Sequence, residues 1–423
     1  MGVLWRRRFV AVAALTVIVG GSGAAEAQEL RDRDRTLAVS RQIADDLRRA
    51  RVHYGPFYLL SSIQLADIGY DQDFFMPVAD TSSGFRFGLS APQRLYFTPN
   101  RKTFLSAAFT PQWSRFGGLA SHNQTGYLAR ADAQFLLNHL YLDVYATKSD
   151  MLHADLGEIS SLVTRKNSEI GAAGELKYSS RTSLTYSAAA RSQKFPLSSN
   201  KFQPDFPVDL LDRNEHNYRT ALVHKTFPLT SLLVAAEYAG YTFPNATFKD
   251  SHRRYGGAGF IYESGRTTSR FEAGYARLDF ERPDQKDFKG AVGNLNINHR
   301  LSEHWSAGGS ASRDLAFSVF KGNNYYVESR AAVSTQYTLT RRLSLTAGWT
   351  GAEDDYDIPT PGSKLGTVAR RRDRMSFPSI GWIYSSPNHF TGGFDVGYFE
   401  RTSNFPITET DGIRLVLHLS LSL

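Results

Sequence analysis

The sequence predicts an all-β fold: a transmembrane antiparallel up-and-down β-barrel of about 18 strands, with 16 as the neighbouring even count. Three observations predict it. Apolar and polar residues alternate with period 2 along much of the chain after residue 55, as strands with two unlike faces require. The connections between these strands are alternately short and long. The chain also opens with a segment suited to export.

That segment comes first. Arg6, Arg7 and Arg8 form a basic start, Phe9 to Gly20 is a short apolar run, and Ala25-Glu26-Ala27 offers a small-residue cleavage site. Residues 1–27 read as a signal peptide. A membrane anchor is the alternative, but the run falls short of the roughly 20 apolar residues that span a bilayer. Removing 1–27 takes away three Arg and one Glu, so the net charge falls from +8 to +6.

Residues 28–52 stand apart. They are highly charged, hold no Pro or Gly, and space Leu37, Ile43 and Leu47 loosely as a helix would. A polar helix or arm is expected on the periplasmic side. It would act as a plug, as a docking helix, or as a solvated extension.

Residues 53–423 form the expected barrel. In 126–137, Tyr127, Ala129, Ala131, Ala133, Phe135 and Leu137 alternate with Arg130, Asp132 and Gln134. In the last strand Leu415, Leu417, Leu419, Leu421 and Leu423 alternate with Val416, His418, Ser420 and Ser422. A soluble sandwich shows the same alternation, so the connections decide. TPNRK (98–102), LNHL (137–140), SSRT (179–182), FPLTS (227–231), ESGR (263–266), LSEH (301–304), LTRR (339–342) and SSPN (385–388) are short turns. They alternate with long polar stretches such as Lys148–Lys166, Lys194–Arg213, Arg313–Asn324 and Asp354–Arg370. A sandwich has no reason to gather its long connections at one end; a barrel with strands of ~9–11 residues does. No open edge is tolerated in hydrocarbon, so the last strand should pair with the first, near Phe57–Tyr70.

The chain has 28 Phe and 21 Tyr. Tyr127, Phe135, Tyr186, Tyr218, Tyr255, Phe271, Tyr275, Trp305, Tyr337, Trp349, Phe390 and Tyr398 are expected on the lipid face, many in two interfacial girdles.

The opposite face carries the chemistry. Arg86, Arg94, Arg130, Arg191, Arg219, Arg254, Arg270, Arg330, Arg372 and Arg374 are expected to line the lumen, with Asp132, Glu175, Glu237, Glu272, Glu328 and Asp395. A water-filled lumen tolerates charge where lipid does not. These residues would form a basic-biased path for anionic solutes, or pair across strands and stiffen the wall. Tyr58, Tyr96, Tyr141, Tyr145, Tyr262, Tyr326, Trp382 and Phe399 are also expected inward, where rings stack on sugars or fill a narrowed lumen.

Other chemistry finds little support. Without cysteine there are no disulfides, thiolate metal sites or cysteine nucleophiles. No nucleophile elbow, zinc-protease motif, phosphate loop or dinucleotide fingerprint occurs, and the 11 His are scattered. No enzyme, metal, cofactor or nucleic-acid partner is expected. A barrel-embedded hydrolase would need Ser, His and a carboxylate joined across adjacent strands.

The opening HYGPFYLLSSIQLADIGYDQDFF (53–75), and units such as LNINHRLSEHWSAGGSAS (295–312) and YTLTRRLSLTAGWTG (337–351), resemble the putative β-barrel porin 2 family. The resemblance covers most of 53–423. It implies an outer-membrane barrel of a Gram-negative cell. It also implies an association with exopolysaccharide synthesis and export, and thus a polysaccharide exit pore. The implied partners are outer-membrane lipids, the barrel-assembly machinery and polysaccharide-export components. The alternative to a channel is a plugged barrel acting through its external loops. The N-terminal arm and the C-terminus are expected in the periplasm.

Overall fold

A computed structural model describes residues 35–71, 84–117, 123–154, 162–196, 207–320, 322–359, 368–386, 390–405 and 409–422. The expected signal peptide and parts of several long connections lie outside the described residues.

Among the described residues one α-helix, α1 (Arg35–Arg49), precedes twenty strands. The first five are β1 (Val52–Tyr54), β2 (Phe57–Asp71), β3 (Gly84–Ser90), β4 (Gln93–Asn100) and β5 (Thr103–Phe116). There follow β6 (Gln124–Leu136), β7 (Leu140–Ala154), β8 (Leu162–Lys177), β9 (Thr182–Lys194) and β10 (Arg213–Phe227). Next come β11 (Thr230–Thr242), β12 (Ser251–Glu263), β13 (Thr267–Phe280), β14 (Phe288–Arg300) and β15 (Trp305–Phe317). The last five are β16 (Tyr325–Thr338), β17 (Leu343–Asp355), β18 (Arg372–Ser385), β19 (Phe390–Ser403) and β20 (Thr410–Ser422). All lie in one sheet and every pairing is antiparallel; chain neighbours pair except around β3 and β4, and β20 returns to β2. The expected closure of the last strand on the first is therefore present.

The expected count of about 18 is corrected to twenty strands. Two short segments account for the difference. β1 is a three-residue strand that folds back on β2 through a turn at Gly55, whose φ of +56° suits glycine. β3 and β4 share one position in the wall, because each pairs with β2 on one side and β5 on the other. Proline has no N–H to give the ladder, and Pro92 marks the break. Ser62 N–H still donates to the Pro92 carbonyl, and Ala91 N–H to that of Pro111.

The full-length strands have 13–16 residues, longer than the ~9–11 needed to cross a bilayer. A 14-residue strand tilted ~40° rises about 36 Å, so the wall extends beyond the apolar band. All long connections lie at one end of the barrel and all short turns at the other.

The short turns repeat one device. Ser179, Ser264, Ser302 and Thr340 hydroxyls each accept hydrogen bonds from the backbone N–H groups two and three residues on, at 2.9–3.3 Å. A hydroxyl that satisfies two turn amides explains why SSRT, ESGR, LSEH and LTRR stand there.

Pairing continues around the barrel, with register shifts at a few bulges such as Lys225–Phe227 and Leu65–Ile68, and side chains divide into two faces. One bares apolar groups at mid-strand: Ile170, Val234, Val333 and Ile380 are 62%, 63%, 57% and 64% exposed. Large aromatics flank them, with Tyr218, Tyr275 and Tyr398 toward the long loops and Phe227, Trp305 and Tyr337 toward the short turns. Nine residues separate Tyr218 from Phe227, a height of about 23 Å. An exposed apolar band between aromatic rows is a lipid-facing surface. The other face holds buried charge and turns inward. Tyr255 is a correction to the aromatic expectation. It lies on the charged face, where its hydroxyl donates to Glu272 at 2.9 Å. Tyr262 and Trp382, expected inward, fall by register on the apolar face.

Candidate functional site

Thirteen of the sixteen expected lumen residues share the inner face: Arg86, Arg94, Arg130, Asp132, Glu175, Arg191, Arg219, Glu237, Arg270, Glu272, Glu328, Arg330 and Asp395. Three do not. Arg254 pairs with Tyr238 in register, on the outer face. Arg372 and Arg374 flank the inward Asp373 and are outward themselves, bonded to Glu353 and Asp355. All three sit at the long-loop ends of β12 and β18, above the apolar band, where charge costs little.

The structure gathers the inner charges into networks. On β10–β13, Arg219 Nη2 donates to both oxygens of Glu272 at 2.7 and 2.8 Å, and Arg270 joins the same carboxylate at 2.9 Å. Arg219 also faces Glu237 at 3.5 Å, and Arg253 bridges Glu237 at 3.2 Å to Asp314 at 2.7 Å. The Arg219 and Glu272 side chains are 8% and 2% exposed and Glu237 is 9%, whereas Asp314 is 48% exposed. A second network crosses β6–β10. Arg130 pairs with Asp132 at 2.6 Å and lies over the Tyr145 ring. The Tyr145 hydroxyl donates to Glu169 at 2.7 Å, Glu169 accepts from Arg191, and Arg191 and Arg213 both reach Glu215. Glu328 pairs with Arg330 at 2.8 Å, and Asp395 faces His418 at 3.6 Å. At the long-loop rim, buried Asp373 accepts from Arg371, Arg401 and Ser403.

The pairing across strands matches the wall-stiffening reading of these charges. Arg213 and Asp314 fall in stretches the sequence assigns to loops, and Arg253 and Asp373 on the face opposite to the expected one; Glu215 and Arg401 are inward strand-end charges beside them.

The two ends of the lumen are narrowed by the chain itself. At the short-turn end, α1 packs inside the wall. Ile43 is buried against Tyr96 and Tyr141, and Asp46 accepts from the Tyr96 hydroxyl at 2.6 Å and faces Arg94 at 3.5 Å. A cavity of about 470 Å³ remains beside Ile43 and Leu47, against Phe104 and Leu136. Toward the long loops, Val163, Phe195, Val208, Leu211 and Val319 form a wholly apolar cluster. Asp212 anchors it by accepting from Phe195 N–H at 2.6 Å; burial pushes the Asp212 carboxyl above its usual range.

Among the described residues no group of three His, Asp or Glu could hold a metal ion.

A closed wall with a charged interior and an apolar exterior defines a porin-like β-barrel. The chain belongs to the putative β-barrel porin 2 family, whose model matches residues 162–423. No curated protein sequence matches it. Among solved structures it is similar to OpdK, an outer-membrane protein of Pseudomonas aeruginosa, at 11% identity and a TM-score of 0.50, covering 86% of this chain and 98% of that one. The same protein solved with vanillate gives 12%, 0.50, 86% and 99%. The FrpB iron transporter of Neisseria meningitidis is 9% identical with a TM-score of 0.49, over 90% of this chain and 83% of that one.

Proposed function

We propose that the protein is a channel in the Gram-negative outer membrane, with its long loops outside the cell and α1 and the C-terminus in the periplasm. The observation that carries this is the continuous inner face on which thirteen charged residues read from the sequence converge. Twenty strands less β1, with β3 and β4 as one stave, leave 18 staves, a size that holds an aqueous path in porins. The arginine excess favours anionic or sugar solutes. An exopolysaccharide leaving the cell is the form of that cargo suggested by the family association.

The test is single-channel conductance of the refolded mature protein in a planar bilayer, with the reversal potential read across a KCl gradient. Steady conductance with anion preference supports the channel. A silent bilayer from folded protein favours the plugged reading, for which the docking of Ile43 and Asp46 in the lumen is the specific support. In that reading the barrel acts through its external loops.

A further inference from the structure

Arg165 is an exception to the pairing rule of the interior. It lies on the inner face of β8, opposite Met151, one inward position beyond the row Asn167–Gln193–Arg213. Its Nε is buried without a hydrogen-bond partner, and among the described residues no ion pair reaches its guanidinium. The charges that act on it are Arg213 and Arg191, opposed by Glu215. Glu215 is already engaged, at 2.5 Å by Arg213 and at 3.6 Å by Arg191, and Glu169 is bonded to Arg191 at 2.7 Å. Three cations therefore share two carboxylates.

This excess is half-buried, with the Arg191 and Arg213 side chains 32% and 18% exposed, and it borders an apolar cluster. Val163, one inward position further toward the long loops on the same strand, is fully buried in the apolar cluster with Phe195 and Val208. Like charges held beside an apolar surface repel more strongly than in open water, and a bound anion relieves that repulsion. Guanidinium groups grip oxyanions through paired N–H donors.

We propose that Arg165, flanked by Arg191 and Arg213, is an oxyanion-binding site near the long-loop mouth of the lumen. Its ligand is a carboxylate, phosphate or sulfate group, free or carried by a solute. The biological solute rests on the channel reading; the binding itself does not.

The test uses the full mature chain folded in detergent, with inorganic sulfate as probe against chloride at matched ionic strength. Sulfate should raise the thermal midpoint saturably in the wild type, by mass action. Arg165→Gln should weaken the apparent affinity at least tenfold, Arg165→Lys less, and Arg266→Gln on a short turn not at all. Heat-modifiable gel migration verifies that each variant is folded. Arg165→Gln should also be more stable than the wild type in chloride, because one repelling charge is gone. A sulfate response in Arg165→Gln equal to that of the wild type, or no saturable response in the wild type, overturns the site. Neither outcome depends on conductance, so a silent bilayer and a missing site are separate results. Repetition with oligogalacturonate separates the sources: a tighter fit than sulfate assigns a uronate chain, and an equal one a free anion.

Discussion

The Tyr96 hydroxyl on the barrel wall donates a 2.6 Å hydrogen bond to Asp46 on the helix inside it. Arg94 faces the same carboxylate at 3.5 Å, and Ile43 is 3% exposed one turn earlier. A short helix lodged by one polar clasp and a few apolar contacts is held by little, because a charged hydrogen bond contributes ~1.5–3 kcal/mol. Asp46→Ala should release α1 about tenfold more often, and deletion of residues 35–49 should open the short-turn end of the lumen. Conductance several-fold above wild type in the deletion is the expected result. Equal conductance would show that α1 does not obstruct the path.

Inside the wall, Arg219 serves two carboxylates that have almost no water, Glu272 and Glu237. Arg219→Ala removes the cation the two share and leaves Arg270 and Arg253 to hold them, so it should lower stability by about 1.5–3 kcal/mol. Arg254→Ala, on the exposed outer face, should change it by less than ~0.5 kcal/mol. Urea titration of both variants in lipid vesicles reads the contrast. Equal losses would contradict the assignment of faces.

Val234 is 63% exposed near the middle of β11, on the apolar band. Arginine there meets lipid and should cost about 2–4 kcal/mol of insertion free energy. The measurement is the folded fraction in vesicles at intermediate urea. A variant that folds as readily as the wild type would place Val234 outside the hydrocarbon.

How far the barrel can be read from its sequence depends on the strand. In β6 and β20 polar and apolar residues alternate cleanly, and the phase read there is the observed one. At Arg253-Arg254 and in the run Arg370–Arg374 charges stand on both faces, so alternation has no phase to read. Both runs lie at the rim, where the lipid no longer forbids outward charge. Arg165 and Arg213 were hidden differently. The reading ended strands at the bilayer edge, whereas β8 and β10 continue past it. The docking of α1 was open, because Ile43 meets Tyr96 and Tyr141, whose places follow only from barrel closure.

Asp212 links pH to the long-loop end. Its folded-state pKa lies above the ordinary 3.8 because it is partly buried and near Asp209. The ionised form is therefore disfavoured by folding, and the cost is present at neutral pH. It is relieved as pH falls through the raised folded-state value, toward the unfolded one. Asp212→Asn, neutral and still able to accept from Phe195, should be slightly more stable than wild type at pH 7. That advantage should shrink as the medium is acidified toward pH 4. Thermal midpoints of the two proteins across this range give the sign. An advantage that grows on acidification would reverse the assignment.

The turn hydroxyls give the last prediction. Ser302 accepts from His304 and Trp305 N–H at 3.2 and 3.0 Å, and Thr340 from Arg342 and Leu343 at 3.2 and 3.1 Å. Both turns are exposed, so water replaces part of what a deletion removes, and the net loss per hydroxyl should be ~0.5–1.5 kcal/mol. Ser302→Ala and Thr340→Ala lie in separate hairpins with no shared partner, so their effects should add within about 0.5 kcal/mol. Their kinetic signature should differ from that of an interior charge. A hairpin that docks early carries its turn into the transition state, so turn variants should slow folding into vesicles more than they speed unfolding. Stopped-flow folding of the two single variants and the double variant measures both quantities. Losses confined to the unfolding rate would show that these hydroxyls lock hairpins already paired.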